Sequence, residues 1–165
     1  MLQLQRVDQE GPQLEAVQQL FRQYEAELEA DLCFQQFEAE LRNPLNKYGG
    51  PGGRLYLAYW NGAVAGCIAL YPLPDKSSCE MKRLYVVPAY RQHQIGKALV
   101  AQLLQDAAAL GYHTMKLDTL EKLKPAIALY QHFGFEVTTA YYHNPLPGVV
   151  SVSYTHLTLP TIYSV

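Results

Sequence analysis

The sequence predicts an α+β fold built around one mixed sheet. Two helical stretches come first, two strands joined by an Asn61-Gly62 turn follow, and strands and helices then alternate as βαβαβ. An Asn-Gly pair between apolar runs is a strong hairpin signal. The βαβ order calls for parallel pairing. A single chain of 165 residues is therefore expected to form a sheet with both kinds of pairing.

The first third of the chain predicts two helices and a loop. Apolar side chains recur at helical spacing over residues 12–29, and Pro12 lies near the start. A second short helix is predicted for CFQQFEAELRN, which Asn43-Pro44 should end. The segment NKYGGPGG, with its four glycines, is expected to be a flexible loop.

The remaining elements follow in order along the chain. The hairpin comprises RLYLAYW and AVAGCIALYPL, and the next strand is CEMKRLYVV. A long helix is predicted over residues 95–110, closed by Gly111. After it come the strand HTMKLDT, the helix KPAIALYQHFG ending at Gly134, and the strand FEVTTAYYH.

The last fifteen residues differ from the rest in composition. Residues 151–165 carry no Asp, Glu, Lys or Arg, and VSYTHLTLPT resembles the translation of sequencing-adapter read-through. We therefore predict one domain over residues 1–150 followed by a non-native tail. The alternative is a genuine last strand, because VVSVSYTH alternates and is rich in β-prone residues.

Composition indicates a cytoplasmic globular protein. Hydrophobic residues make up 49% and charged residues 17%, no apolar run approaches the length of a membrane helix, and the first residues do not resemble a secretion signal. Cys33, Cys67 and Cys79 share no metal-ligand spacing. They are interpreted as reduced, structural thiols, and no metal is expected.

Charge is unevenly distributed. Residues 1–40 carry nine acidic and two basic side chains, whereas the rest carries six acidic and eleven basic ones. Either the acidic part is a solvated helix face, or it attracts a cation while the second part attracts an anion. Scattered basic residues and a pI near 6.2 argue against nucleic acid as a partner.

The stretch RLYVVPAYRQHQIGKALV leads from a strand into a helix through a polar loop. Successive N–H groups, the cation Arg91 and the start of a helix are suited to holding an anion. Two other anion motifs do not match. A P-loop needs a hydroxyl where Ala98 stands, and a dinucleotide fingerprint needs three glycines where only Gly96 is present.

This loop and a later segment together resemble the GNAT N-acetyltransferases. The pyrophosphate loop of that family follows Arg/Gln-x-x-Gly-x-Gly/Ala, which corresponds to residues 91–96 after the strand exit LYVVPAY. The resemblance covers about residues 12–150. It implies a mostly antiparallel mixed sheet flanked by helices, with a strand splay at the cofactor site. The second signature, A-x-x-L-Y-x-x-x-G-F, corresponds to Ala126, Leu129, Tyr130, Gly134 and Phe135.

Two positions depart from the family pattern. Gln94 stands where the first loop glycine is common. If that position needs a positive φ, glutamine costs on the order of 1–2 kcal/mol and weakens cofactor binding. Leu123 replaces an Asn often found three residues before the Ala126 position.

The resemblance implies acetyl-CoA as the donor substrate. Backbone N–H groups of the loop would hold the pyrophosphate, Arg91 and Lys97 would add positive charge, and the backbone at the strand end would bind the pantetheine arm. His93 is expected to be a loop residue near phosphate. The cofactor-binding residues predicted in this way are Leu84, Tyr85, Val86, Arg91, Gln92, His93, Gln94, Ile95, Gly96 and Lys97.

The implied reaction is direct attack of an amine on the thioester within a ternary complex. Glu80 lies where members of the family often carry a general base, and the base is either Glu80 or water. The alternative for Glu80 is an exposed strand-edge charge beside Lys82 and Arg83. Tyr130 corresponds to the family's general acid, and its alternative is a core aromatic residue.

The acceptor is predicted to be an amine, either a small molecule or a peptide amine. The acidic first helices and the loop at residues 49–53 favour a cationic acceptor, and Tyr141, Tyr142 and HNPLPG are expected to close the opposite wall. A non-catalytic acyl-CoA-binding or regulatory domain is the alternative. No nucleic acid or membrane partner is expected, and the chain is predicted to be a monomer or homodimer.

Overall fold

The computed structural model describes residues 1–28, 37–155 and 157. Its first half contains β1 (Leu2–Arg6), α1 (Pro12–Leu28), α2 (Phe37–Arg42), α3 (Leu45–Tyr48), β2 (Arg54–Trp60), β3 (Ala63–Pro72) and β4 (Ser78–Val86). A 3-10 turn at Pro88–Tyr90 precedes α4 (Ile95–Ala109), β5 (Thr114–Leu120), α5 (Lys124–Phe133), β6 (Glu136–Val137) and β7 (Val149–Tyr154). Among these described residues, no helix combines the length and apolarity needed to cross a membrane.

The seven strands form one sheet in the order β1-β2-β3-β4-β5-β7-β6. Strand β2 pairs antiparallel with β1 and with β3, and β7 pairs antiparallel with β5 and β6. Strand β4 runs parallel to β5, with Ser78, Cys79 and Glu80 in register with the first residues of β5. The predicted mixed, mostly antiparallel sheet flanked by helices is confirmed.

The chain divides into two compact units, and β4 contributes to both. The first unit comprises Met1–Tyr71 and Met81–Leu103, and the second comprises Pro72–Glu80 and the chain from Leu104 onward. The core of the first unit is formed by buried side chains that include Val17, Phe21, Leu55, Leu57, Ile68 and Leu99. The core of the second includes Ala107, Tyr112, Met115, Leu117, Tyr130 and Phe135.

Three elements differ from the sequence prediction. Strand β1 was not predicted, and it forms because its residues pair with β2 from Leu2↔Trp60 to Arg6↔Tyr56. The predicted flexible loop begins with the helical turn α3, since the N–H groups of Lys47 and Tyr48 donate to the Pro44 carbonyl. The strand predicted for FEVTTAYYH is confined to β6.

The first residues of the suspected tail lie in the sheet. Strand β7 pairs with β5 from Leu120↔Val149 to Met115↔Tyr154, and Ser151 and Val152 are buried. This agrees with the strand interpretation of VVSVSYTH. The adapter origin stays a prediction, and residues 156 and 158–165 lie outside the described part of the chain.

Candidate active site

The predicted anion loop lies in the first unit, between the 3-10 turn and α4. The Ala98 N–H donates to the Gln94 carbonyl at 3.1 Å, which is the first hydrogen bond of the helical ladder. Helix geometry therefore leaves the N–H groups of Ile95, Gly96 and Lys97 without an acceptor inside α4. These groups and the helix dipole produce positive potential at the end of the loop.

Two glutamines of the loop have a left-handed backbone conformation. Gln94 has φ 59°, which confirms the positive φ considered for this position, and Gln92 has φ 76°, which the sequence did not indicate. Each such residue costs on the order of 1–2 kcal/mol. Between them, the His93 ring stacks on Trp60 of β2, with centroids 4.3 Å apart and planes inclined by 13°.

Arg91 is paired with a carboxylate at the side of this loop. Its Nη2 donates to both Glu27 oxygens at 2.7 and 2.9 Å, and its Nε donates to the Val86 carbonyl at 2.9 Å. Burial, and after it the nearby Glu27 carboxylate, raises the pKa of Tyr85 to about 12. Arg91 and Lys97 are both exposed to solvent, and Arg91 is paired with a carboxylate.

The end of β4 has an irregular backbone. Arg83 has φ 61°, a left-handed conformation within a strand. Gly66 of β3 lies so close that a Cβ on it would stand 2.7 Å from the Tyr85 carbonyl oxygen. The Val87 N–H donates to the Ala65 carbonyl at 2.8 Å. The backbone of Leu84, Tyr85 and Val86, predicted to bind pantetheine, therefore follows a fixed, non-ideal path.

Arg83 forms a buried ion pair that sequence reasoning missed. Its Nε and Nη2 lie 2.7 and 3.1 Å from the Glu40 oxygens, and the guanidinium carbon is 5.0 Å from the Phe37 ring centroid. Burial alone would raise the pKa of Glu40, but the hydrogen bond and charge of Arg83 lower it. The available signal was that Glu40 stands between apolar Phe37 and Leu41 on one helix.

The predicted base, Glu80, lies in the second unit and is 2% exposed. The Tyr141 hydroxyl donates to Glu80 Oε2 at 2.7 Å. Burial and the charges of Glu80 and Asp118 raise the pKa of Tyr141 far above its usual value. The alternative that Glu80 is an exposed strand-edge charge is wrong.

A cavity of about 550 Å³ lies beside Asp118 in the same unit. Asp118 accepts hydrogen bonds from Ser151 Oγ at 2.6 Å and from Asn144 Nδ2 at 3.1 Å. Burial and the charges of Glu80 and Asp118 raise the pKa of Tyr142 above its usual value. The sequence did not indicate Asp118, whereas Tyr142 and the HNPLPG segment were predicted to form a wall of the acceptor site. The cavity lining includes Asp118, Thr138, Tyr142, His143, Asn144 and Leu146.

Tyr130 packs in the core of the second unit and is 6% exposed. Its ring centroid lies 5.7 Å from that of Phe135. Helix α5 ends at Gly134, whose φ of 101° and N–H bonds to Gln131 and Tyr130 carbonyls form the cap. Local packing therefore fixes the ring, and a hydroxyl held on a fixed ring is suited to directional proton donation.

The cysteines behave as structural residues where the structure describes them. Cys67 and Cys79 are buried free thiols, and burial is the main cause that raises the pKa of Cys79 to about 12. Cys33 lies outside the described residues. Within residues 1–28, 37–155 and 157, no group of three or more His, Cys, Asp or Glu side chains is arranged to hold a metal ion.

The predicted site residues thus fall into two sets. All ten predicted cofactor-binding residues lie in the first unit, while Glu80 and Tyr130 lie in the second. The structure brings His93 together with Trp60 and Arg91 together with Glu27, two contacts that the sequence did not predict.

Known proteins share both the sequence and the fold. The chain is 45% identical over 138 residues to an uncharacterized N-acetyltransferase of Schizosaccharomyces pombe, covering 83% of this chain and 85% of the relative. It is 33% identical over 125 residues to an uncharacterized N-acetyltransferase of Escherichia coli, covering 73% and 75%. An acetyltransferase structure from Streptococcus agalactiae has a TM-score of 0.77 at 22% identity, covering 93% and 98%. The profile of the acetyltransferase (GNAT) family matches residues 14–135, so the chain belongs to that family and is an N-acetyltransferase.

Proposed function

We propose that this N-acetyltransferase transfers an acetyl group from acetyl-CoA to a primary amine by direct attack on the thioester in a ternary complex. The observation that carries the proposal is the loop of residues 91–96, which resembles the family's motif apart from Gln94, has two left-handed residues and leads into α4 at Ile95. Relatives named N-acetyltransferases support an amine as the acceptor.

The loop residues fit a pyrophosphate. The N–H groups at the start of α4 supply hydrogen bonds to phosphate oxygens, and exposed Lys97 supplies a charge. Arg91 is hydrogen-bonded to Glu27 and to the Val86 carbonyl, so we assign Arg91 chiefly to holding the loop in place. The backbone of residues 84–86 would bind the amide-bearing arm.

Two side chains of the second unit carry the proton transfers. Glu80 takes the proton that the acceptor ammonium must lose, directly or through a water molecule, so that nitrogen can attack the thioester carbon. The Tyr141 hydroxyl donates a hydrogen bond to Glu80 Oε2 and so orients the carboxylate. As the C–N bond forms and the C–S bond breaks, the Tyr130 hydroxyl gives a proton to the departing sulfur.

The cavity beside Asp118 is the proposed acceptor site. A carboxylate at its wall favours a cationic amine, either a small molecule or a peptide amine. Acceptor identity, oligomeric state and cytoplasmic location stay predictions.

Ligand binding tests the assignment of the loop. Acetyl-CoA should raise the melting temperature far more than pantetheine, which lacks the phosphates. Gly96→Glu should abolish that shift by adding bulk and negative charge at the pyrophosphate site. Gly50→Glu is the matched control, because a Cβ at Gly50 meets nothing within 4 Å. Equal shifts with the two ligands would contradict the loop assignment.

Kinetics test the role of Tyr130. Tyr130→Phe preserves the ring and removes the proton donor, so turnover should fall by about 10²–10⁴-fold while acetyl-CoA affinity is retained. Tyr59→Phe, on β2 of the first unit, serves as the control. Release of free thiol with a broad panel of amines measures the rate. An unchanged rate would mean that Tyr130 is only a core aromatic residue. If the protein binds acetyl-CoA but turns over no amine in the panel, the non-catalytic alternative is favoured.

A further inference from the structure

We propose that Trp60 is a positioning residue that holds the anion loop in its binding conformation through its stack on His93. The inference rests on the proposed function, since it concerns how the loop is prepared for acetyl-CoA. Trp60 is the last residue of β2 and His93 is the central residue of the loop. Their rings are nearly parallel at 4.3 Å, which is close contact over the ring faces.

The loop needs an external support because its backbone is strained. Gln92 and Gln94, on either side of His93, are both left-handed without being glycine. Such conformations persist only where the surroundings fix them. His93 lies between the two strained residues. A contact that immobilises its ring therefore restricts the φ and ψ angles of Gln92 and Gln94.

Trp60 itself stands on a rigid support. It pairs with Leu2 of β1 and with Ala63 across the hairpin. The Asn61 N–H donates to the Met1 carbonyl at 3.0 Å, and the Met1 amino group donates to the Asn61 side chain. Strand β2 also shifts register between Ala58 and Tyr59. Irregularities of this kind re-aim the side chains that follow them.

This arrangement lets β2 order the loop before a ligand arrives. Without the indole, the free loop would populate other conformations, and binding would incur the cost of restoring one. Loss of one aromatic pair corresponds to about a 2- to 10-fold weaker affinity. The rate at saturating acetyl-CoA should change by less than about 2-fold, since Trp60 takes no part in the chemistry.

The stack can be tested in the free protein, independently of any activity. Trp60 is the only tryptophan in the chain, so its emission reports this site alone. His93→Ala should uncover one face of the indole and raise the acrylamide quenching constant, whereas His132→Ala, on α5, should leave it unchanged. Equal quenching in wild type and His93→Ala would overturn the stack.

Affinity tests the positioning role. Calorimetric titration with acetyl-CoA should give about 2- to 10-fold weaker binding for Trp60→Leu, with most of the affinity retained in Trp60→Phe. Tyr59→Leu is the control on the same strand. Trp60→Leu combined with His93→Ala should bind no more weakly than the weaker single variant, because both remove one interaction. If Trp60→Leu does not fold, the affinities of His93→Ala and Trp60→Phe for acetyl-CoA are compared with that of the wild type instead.

The outcomes separate the two proposals. If Trp60→Leu and His93→Ala bind acetyl-CoA as tightly as the wild type does, the positioning role is refuted and the proposed function remains intact. Wild type that does not bind acetyl-CoA would refute both, whatever the quenching shows. Independent, additive losses in the double variant would mean that Trp60 and His93 act separately, which also contradicts the inference.

Discussion

Removal of the Glu40 carboxylate while Arg83 remains should strongly destabilise the protein. The two side chains are 2% and 3% exposed and are joined by hydrogen bonds of 2.7 and 3.1 Å. Glu40→Leu would remove the carboxylate that both hydrogen bonds reach while the guanidinium stays buried, an effect worth about 3–5 kcal/mol. Lys47, at 3.5 Å from Glu40, would lose a weaker partner.

Urea unfolding followed by circular dichroism measures this loss. Glu38→Leu is the matched control on α2, because Glu38 is exposed, and it should shift the free energy of unfolding by less than about 0.5 kcal/mol. Combining Glu40→Leu with Arg83→Met should recover most of the stability, because neither charge is then buried. A loss for Glu40→Leu no larger than that of the control would refute the reasoning.

Lowering the pH should remove the contribution of the Glu40–Arg83 pair to stability. The pKa of Glu40 is lowered in the folded protein from its usual value of 4.5. Its contribution is therefore fully present above pH 4.5 and is lost as the pH falls through the folded value. The stability difference between wild type and the variant with both Glu40→Leu and Arg83→Met should accordingly change below pH 4.5. A difference that stays constant from pH 7 to pH 3 would contradict this assignment.

Three further changes probe other contacts by urea unfolding or titration. Gly66→Ala should cost about 1–3 kcal/mol, because its Cβ would stand 2.7 Å from the Tyr85 carbonyl oxygen; an unchanged unfolding midpoint would contradict this close approach. Gly134→Ala should cost about 1–2 kcal/mol, because the cap has φ 101°; a stabilised variant would contradict it. Glu27→Gln should release the charge of Arg91 and tighten acetyl-CoA binding by up to about 5-fold at low salt; equal affinity at every salt concentration would contradict this effect.

Elements with strong local signals could be predicted from the sequence. The hairpin strand Arg54–Trp60 has the predicted bounds, because an Asn-Gly turn between β-prone runs leaves few alternatives. Helix α5 ends where Gly134 adopts the left-handed cap. The positive φ of Gln94 was anticipated for a similar reason, since the family pattern often has glycine at that position.

Contacts between distant parts of the chain could not be predicted. Strand β1 has only five residues, and its pairing depends on the edge that β2 offers. The partner of Glu40 is separated from it by 43 residues, so no periodicity links the two. Asp118 was overlooked because an acidic residue on a half-buried strand has no local signal. Its partners Asn144 and Ser151 lie 26 and 33 residues further along the chain.

The predicted anion loop adopts a left-handed backbone at position 94 without glycine. A glycine at position 94 would adopt φ 59° without strain, but it would also leave the free loop many conformations. Glutamine restricts that freedom, and its strain is incurred during folding rather than during binding. The stack of His93 on Trp60 then selects the left-handed arrangement. We therefore expect affinity for an anion in this loop to depend on pre-organisation, so that replacing Trp60 should weaken binding and leave turnover nearly unchanged.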